Sequence, residues 1–199
     1  KITIDGKDIR NVSQHELREK LGYVPQKAVL FSGDIASNIL YGNPDGSEAE
    51  MTEAATIAQA TEFIEQKKKK YKSTISQGGS NVSGGQKQRL SIARAIAKHP
   101  DVYIFDDSFS ALDYKTDATL RAKLKEKTSE STVMIVAQRI STILHADQII
   151  VLDDGQIVGK GTHKELLKNC EAYYQIASSQ LSEKELEEDL KEVESYAER

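Results

Sequence analysis

The stretch at residues 81–89 constrains this chain more than any other. It reads Asn-Val-Ser-Gly-Gly-Gln-Lys-Gln-Arg, so a serine and two glycines open a run with helical spacing. Backbone N–H groups at such a helix N-terminus form a nest that suits a phosphate. Farther along, the apolar residues 102–105 are followed by Asp106 and Asp107. A buried strand that ends in an aspartate is where nucleotide-hydrolysing α/β proteins hold magnesium, so the two features together point to ATP.

The order of the secondary-structure patterns predicts an α/β protein. Residues 102–105 and 132–137 are short, continuous apolar runs, which are typical of strands in a parallel sheet with helices on both faces. Residues 148–153 form a third run, which turns through Asp154-Gly155 into the second strand of a hairpin. The segment 43–97 shows helical patterns only. We therefore expect an α/β core interrupted by an inserted helical subdomain.

Composition excludes several classes of protein. The formal net charge is −4, whereas nucleic-acid-binding domains usually carry a net positive charge, so we expect no nucleic-acid partner. The single cysteine excludes an internal disulfide framework and fits a reducing compartment. No apolar run approaches the ~18 residues of a membrane span, and no signal peptide is visible. Because the chain opens directly into a strand-like pattern without a methionine, we expect it to be part of something longer.

Five motifs in order make the chain resemble the nucleotide-binding domain of an ABC transporter. They are Gln26, residues 82–86, residues 106–107, residues 110–113 and residues 137–139. The resemblance covers residues 1 to about 180 and implies a P-loop NTPase (RecA-like) core with an inserted α-helical subdomain. It also implies these boundaries: 1–42 and 99–180 for the two parts of the core, 43–98 for the helical subdomain and 181–199 for a charged helical tail.

The resemblance assigns a role to each matching residue, with ATP and Mg²⁺ as the cofactors. It implies that Gln26, in the Q-loop, binds nucleotide and Mg²⁺, senses the attacking water and faces a membrane domain. Asp106 matches the magnesium aspartate of the Walker B motif, and Asp107 stands at the position of the catalytic base. Asp113 closes the nucleotide-binding D-loop. Gln138 stands where the family has its H-loop histidine.

The signature motif of the resemblance comprises Ser83, Gly84, Gly85 and Gln86. In the family, the signature of one subunit completes the ATP site built on the phosphate loop of the other subunit. The resemblance therefore implies a second ABC subunit as a partner, together with the transmembrane domain of the same transporter. Residues 74–79 look like the X-loop of exporters, and residues 30–42 are also exporter-like. These two segments favour an exporter at the cytoplasmic face of the plasma membrane.

Two departures from the family pattern fall on the candidate catalytic residues. Asp107 replaces the usual glutamate, and a carboxylate that is shorter by one methylene has poorer reach as a general base. Gln138 replaces the usual histidine, and an amide cannot carry charge or relay a proton. Since catalysis of phosphoryl transfer depends mostly on positioning and electrostatics, we expect a degenerate site with slow turnover. With its signature intact, the chain resembles the degenerate half of a heterodimeric, multidrug-type exporter.

The sequence contains no Gly-x-x-x-x-Gly-Lys-[Ser/Thr] phosphate loop. Residues 155–161 are a near miss that is one residue too short and lies in a predicted hairpin, so we reject it. In the family, the phosphate-loop strand lies between the strands that match residues 133–136 and 149–152. We therefore expect backbone there without a ladder partner. We also expect that this chain alone neither binds ATP tightly nor hydrolyses it.

Three other interpretations remain open at this stage. The first is a homodimeric exporter that tolerates Asp107 and Gln138. The second is a soluble ABC ATPase of the repair or translation type, and the third is a regulatory ATP-binding module without transport. The exporter-like X-loop and the intact Gln26 argue against the third, because both are coupling elements in the family.

Overall fold

The computed structural model describes residues 1–186 of the chain. Two compact units are distinguished, Lys1–Val136 and Ala137–Arg199, and each has its own hydrophobic core. The boundaries expected at residues 42, 98 and 180 stay predictions. The predicted charged tail from residue 187 onward lies outside the described residues, whereas Leu186 is buried in the core of the second unit.

The first unit alternates short strands with helices. Its strands are β1 (Thr3–Ile4), β2 (Lys7–Asp8), β3 (Leu21–Val24), β4 (Gly33–Asp34), β5 (Thr74–Ile75), β6 (Val102–Asp106) and β7 (Thr132–Val136). Its helices are α1 (Gln14–Glu19), α2 (Ile35–Ile39), α3 (Glu48–Ile57), α4 (Thr61–Glu65), α5 (Gly84–Ala97) and α6 (Tyr114–Lys127). The predicted α/β class is thereby confirmed.

A three-stranded parallel sheet in the order β3-β6-β7 forms the centre of the first unit. Val24 lies opposite Phe105 in the β3–β6 ladder, and both side chains are fully buried. Because the strands are parallel, their carboxyl ends meet at one edge of the sheet. This register brings the residues that follow Val24 beside those that follow Phe105, where α/β proteins place their ligands.

Strand β7 is more exposed than its sequence predicts. Met134 and Val136 are each about half exposed, at 57% and 51%, so the prediction of burial on both faces is wrong for this strand. The physical reason is its position, because β7 ladders with β6 only and no other described strand pairs along its second edge. Helix α5 packs against β3 instead, at the other side of the sheet.

Helices α2, α3 and α5 of the first unit pack on one another. The buried face of α5 is largely apolar and includes Leu90 and Ile96. The expectation of helices only between residues 43 and 97 is wrong in one place, because β5 pairs with β4 in an antiparallel ladder. Two ladder positions suffice for this, and so short a strand leaves almost no periodic signal in the sequence.

Side-chain caps start six of the described α-helices. The Asp113 side chain caps α6 without a capping box. The other five have a complete capping box, in which the cap side chain accepts from the N3 backbone N–H and the N3 side chain accepts from the backbone N–H of the cap residue. These caps are Ser13, Asp34, Ser47, Ser83 and Thr162. At Ser13 the partner is Glu16, three residues later, as the sequence spacing of a capping box requires.

The second unit is a hairpin covered by helices. It contains α7 (Ile140–Ile143), β8 (Ile149–Asp153), β9 (Gln156–Gly161), α8 (His163–Asn169) and α9 (Glu171–Ser178). The predicted hairpin is confirmed, and β8 buries alternate residues, Ile149 and Val151, against the helices. In the described part of the chain, no helix is both long enough and apolar enough to span a membrane.

Candidate functional site

Two acids at the end of β6 are each hydrogen bonded from the end of β3. Tyr23 Oη donates to Asp106 Oδ2 at 3.0 Å, and Gln26 Nε2 donates to Asp107 Oδ2 at 3.1 Å. The hydrogen bond to Asp106 raises the pKa of Tyr23, because the carboxylate favours the protonated phenol. The structure thus brings together three of the residues that the sequence singled out, Gln26, Asp106 and Asp107.

Backbone contacts fix the turn that carries the second acid. Asp107 has a φ of 45°, which is the left-handed region that aspartate tolerates better than most residues. Its N–H donates to the Val136 carbonyl at 2.9 Å, and its own carbonyl accepts from Ser110 Oγ at 2.9 Å. Ser108 is fully buried and donates to the Val24 carbonyl at 2.8 Å. The two strand ends are therefore held at a fixed separation.

The signature residues begin α5 as the sequence predicts. Ser83 is the N-cap and accepts from the N–H of Gln86 at 3.2 Å, while Gln86 Oε1 accepts from the N–H of Ser83. Ser83 and Gly84 are exposed. A Cβ added at Gly84 would meet no atom within 4 Å, so the space in front of this helix end is open. A 14-residue helix that begins with free N–H groups in open space can receive an anion.

Helix α5 connects the signature to the rest of the site through two side chains. Gln88, only 2% exposed, donates through Nε2 to the Pro25 carbonyl at 3.2 Å, next to Gln26. Arg89 donates through Nη1 to the Gln59 carbonyl at 2.7 Å and lies over the Phe63 ring. The second turn of α5 is therefore tied both to the backbone beside Gln26 and to Gln59 and Phe63.

Asp113 lies at the start of α6, where it acts as the N-cap. Its carboxylate accepts from the Thr116 N–H at 3.0 Å, and this backbone hydrogen bond lowers the pKa of Asp113. The turn before it approaches the signature, because a Cβ added at Gly85 would lie 3.4 Å from the Ala111 carbonyl oxygen. The signature and the D-loop are thus neighbours within the first unit.

Gln138 belongs to the second unit, where its carbonyl accepts from Gln180 Nε2 at 2.9 Å. The same unit contains the rejected phosphate-loop near miss, and Gly159 lies within β9 of the hairpin. A Cβ at Gly159 would lie 2.6 Å from Cys170 Sγ, so this glycine is required for packing. Its surroundings give no reason to assign it to phosphate binding.

The acids at the sheet edge fit magnesium better than they fit a metal held by protein ligands alone. The described residues contain no group of three or more His, Cys, Asp or Glu side chains that could hold a metal ion. Mg²⁺, however, is usually bound by one or two carboxylates and completes its coordination with phosphate oxygens and water. Asp106, with Gln26 nearby, supplies such a hard-oxygen donor set.

Sequence reasoning missed two of the residues that organise this site. Tyr23 was not singled out, although it lies three residues before Gln26 and its phenol reaches Asp106. Gln88 was not singled out, although a glutamine on the apolar face of a helix is a signal of a specific buried partner. Both contacts join residues more than 60 positions apart, and periodicity does not reveal such pairs.

The two exporter-like segments are in direct contact. Strand β4 of the first segment pairs with β5, which begins the X-loop-like residues 74–79, and the Gly78 N–H donates to the Leu30 carbonyl at 3.1 Å. Beside them, Phe31 and Tyr41 stack at 4.3 Å and are 42% and 60% exposed. Arg94 lies over both rings. The segments therefore form one surface with an exposed aromatic pair.

Comparison with known proteins gives one consistent family. The family model described as ABC transporter matches residues 1–110. An uncharacterized ABC transporter ATP-binding protein of Mycobacterium tuberculosis is 46% identical over 182 residues, which are 90% of this chain and 31% of the relative. The β-(1→2)glucan export ATP-binding/permease protein of Nitrobacter winogradskyi is 42% identical over 184 residues, which are 92% of this chain and 30% of that protein.

A solved structure shows the same fold. The structure of a bacterial Atm1-family ABC exporter with ATP bound superposes with a TM-score of 0.87 and 39% identity, covering 91% of this chain and 32% of that one. The chain thus spans about a third of the length of each of these three proteins. The fold is that of a P-loop NTPase of the exporter ATP-binding domain type.

Proposed function

This chain belongs to the ABC transporter family, and we propose that it is the ATP-binding part of a membrane exporter. It would couple ATP binding and hydrolysis to substrate efflux from the cytoplasmic face of the plasma membrane. The observation that carries the proposal is the pair of acids at the end of β6, held by Tyr23 and Gln26 from the neighbouring strand end. Such a strand-end carboxylate is what a nucleotide-bound Mg²⁺ requires.

Asp106 would hold the Mg²⁺ ion, with Gln26 beside it. When bound, the ion would supply positive charge that neutralises the nucleotide phosphates. Gln26 already donates to Asp107, so it links the metal site to the position of the general base. Because Gln88 holds the adjacent Pro25 carbonyl, a movement of α5 would be transmitted to the Q-loop.

The joined exporter-like segments would contact the transmembrane domain. Arg94 stabilises this surface, since its guanidinium donates to the carbonyls of Asn38 and Val29 and lies over the two aromatic rings. Exposed aromatic side chains on a rigid base are typical of protein interaction sites. A transmembrane partner would bury the stacked pair of Phe31 and Tyr41.

We further propose that the site on this chain is degenerate and that its signature serves a second ABC subunit, most simply in a heterodimer. Asp107 has the shorter carboxylate, and its bond to Gln26 holds one of its oxygens. Gln138 cannot relay a proton. By contrast, the helix end at Ser83 and Gly84 is intact and open, as a partner's ATP phosphate requires.

A matched pair of serines tests the proposal. Ser83 and Ser47 cap α5 and α3 with the same capping box, so Ser83→Ala and Ser47→Ala should each destabilise the protein by about 1 kcal/mol. In the transporter that carries this chain, only Ser83→Ala should reduce ATP turnover, because only Ser83 faces the phosphate. Equal turnover in the two variants would show that this helix end does not bind ATP.

A further inference from the structure

Tyr23 occupies an unusual place for an exposed tyrosine. It lies on β3 opposite Ile104 of β6, and 55% of the residue is exposed. Its hydroxyl nevertheless donates to the Asp106 carboxylate at 3.0 Å instead of pointing only to water. An exposed hydroxyl can satisfy its hydrogen bond with solvent, so the strand does not need this contact for its own stability.

The two acids are held in parallel ways. Tyr23 donates to Oδ2 of Asp106, and Gln26 donates to Oδ2 of Asp107. Both donors lie at or just after the carboxyl end of β3. A carboxylate has about four lone-pair sites on its two oxygens, and one donor on Oδ2 leaves Oδ1 available. Because Ser108 ties the two strand ends together, the phenol approaches Asp106 from a fixed direction.

We propose that Tyr23 is a positioning residue for magnesium, holding one oxygen of Asp106 so that the other is aimed at the ion. The inference rests on the proposed function, in which Asp106 is the magnesium ligand. A neutral hydroxyl suits this role, since it orients the carboxylate without cancelling its charge. Removing the hydrogen-bond partner of a metal ligand typically lowers metal affinity or activity about 10- to 100-fold.

The test is Tyr23→Phe in the transporter that carries this chain, because phenylalanine keeps the ring and removes only the hydroxyl. Tyr174→Phe is the matched control, since Tyr174 is 38% exposed and lies on α9 in the second unit. The first measurement is the Mg²⁺ concentration that gives half-maximal binding of a fluorescent ATP analogue. The second is binding of the same analogue in EDTA, and the third is the Mn²⁺ electron paramagnetic resonance signal with ATP.

We expect Tyr23→Phe to raise the half-maximal Mg²⁺ concentration about tenfold or more and to weaken the bound Mn²⁺ signal. Binding in EDTA should stay unchanged, and Tyr174→Phe should match the wild type throughout. A merely structural role would weaken binding equally with and without metal, and that result would overturn the inference. An unchanged Mg²⁺ dependence in Tyr23→Phe would overturn it as well.

Asp106→Asn separates this inference from the proposed function. If Asp106→Asn loses Mg²⁺-dependent binding while Tyr23→Phe behaves as wild type, the role of Tyr23 is wrong and the magnesium site stands. If Asp106→Asn leaves the Mg²⁺ dependence unchanged, the magnesium site itself is wrong and the inference fails with it. Metal dependence lost in Asp106→Asn and shifted in Tyr23→Phe supports both.

Discussion

Replacing Asn38 by alanine should destabilise the exporter-like surface more than any other single truncation of a polar side chain in it. Asn38 is 1% exposed, and its side chain makes four hydrogen bonds. Oδ1 accepts from the Phe31 N–H at 2.9 Å and from Arg94 Nη2 at 2.8 Å, and Nδ2 donates to the Phe31 and Asp34 carbonyls at 2.9 Å each. All of the amide's donors and acceptors are therefore used.

The magnitude follows from these bonds. A neutral hydrogen bond contributes about 1 kcal/mol net, and one to a charged group about 1.5–3 kcal/mol. Asn38→Ala removes three neutral bonds and one charged bond, so we expect a loss of about 4.5–6 kcal/mol in the free energy of unfolding. With a denaturant slope of about 2 kcal/mol/M, the urea midpoint of the first unit should fall by about 2–3 M.

Asn43→Ala is the matched control, because the Asn43 amide donates from Nδ2 to the Ala97 carbonyl at 3.2 Å and so loses a single neutral hydrogen bond. It should cost about 1 kcal/mol and shift the midpoint by about 0.5 M. Urea titration followed by circular dichroism gives the midpoints, and hydrogen exchange of residues 31–41 assigns the loss to this surface. Equal midpoint shifts in the two variants would refute the reasoning that Asn38 organises it.

Three further predictions concern the site. Asp107→Glu combined with Gln138→His should raise ATP turnover at this chain's own site about tenfold or more, as measured by vanadate trapping on this chain; no gain would refute the degenerate site. The 199-residue chain alone should bind Mg-ATP more weakly than about 100 µM by isothermal titration, and micromolar binding would contradict that expectation. The N-cap of α6 should be lost in acid, because folding lowers the pKa of Asp113 from its unfolded value of 3.8. The ionised cap stabilises α6 fully above pH 3.8, and this stabilisation is lost as the pH falls through the lower pKa of the folded state. At pH values below 3.8, the hydrogen-exchange protection of the amides at 114–117 should therefore decrease in the wild type but not in Asp113→Asn. An equal decrease in both proteins would contradict this explanation.

Local rules predict the parts of this fold that depend on neighbours in the sequence. The capping box at Ser13 follows from the spacing to Glu16, and the β8–β9 hairpin follows from Asp154-Gly155 between apolar runs. The signature serine at the start of α5 is another case. In each, the residues that determine the structure lie within a few positions of one another.

Burial depends on distant parts of the chain, and there the sequence is less informative. The run at β7 looks like a covered strand, yet Met134 is 57% exposed because β7 ladders on one side only. No local sequence pattern predicts the burial of His163, which is 5% exposed, with Nδ1 2.7 Å from Tyr173 Oη. Motifs identify the acids of the candidate site, whereas their partner Tyr23 is revealed only by the β3–β6 register.

The central claim is that the signature of this chain serves a partner's ATP site while its own acids serve a weaker one. The most direct test compares Gly84→Ala with Asp107→Asn by steady-state ATP turnover of the assembled transporter. A Cβ at Gly84 meets no atom within 4 Å, so the protein should fold normally while the methyl group fills the space for the phosphate. We predict that Gly84→Ala lowers turnover about 100-fold, whereas Asp107→Asn changes it less than about twofold. A large loss in Asp107→Asn with normal turnover in Gly84→Ala would contradict the account.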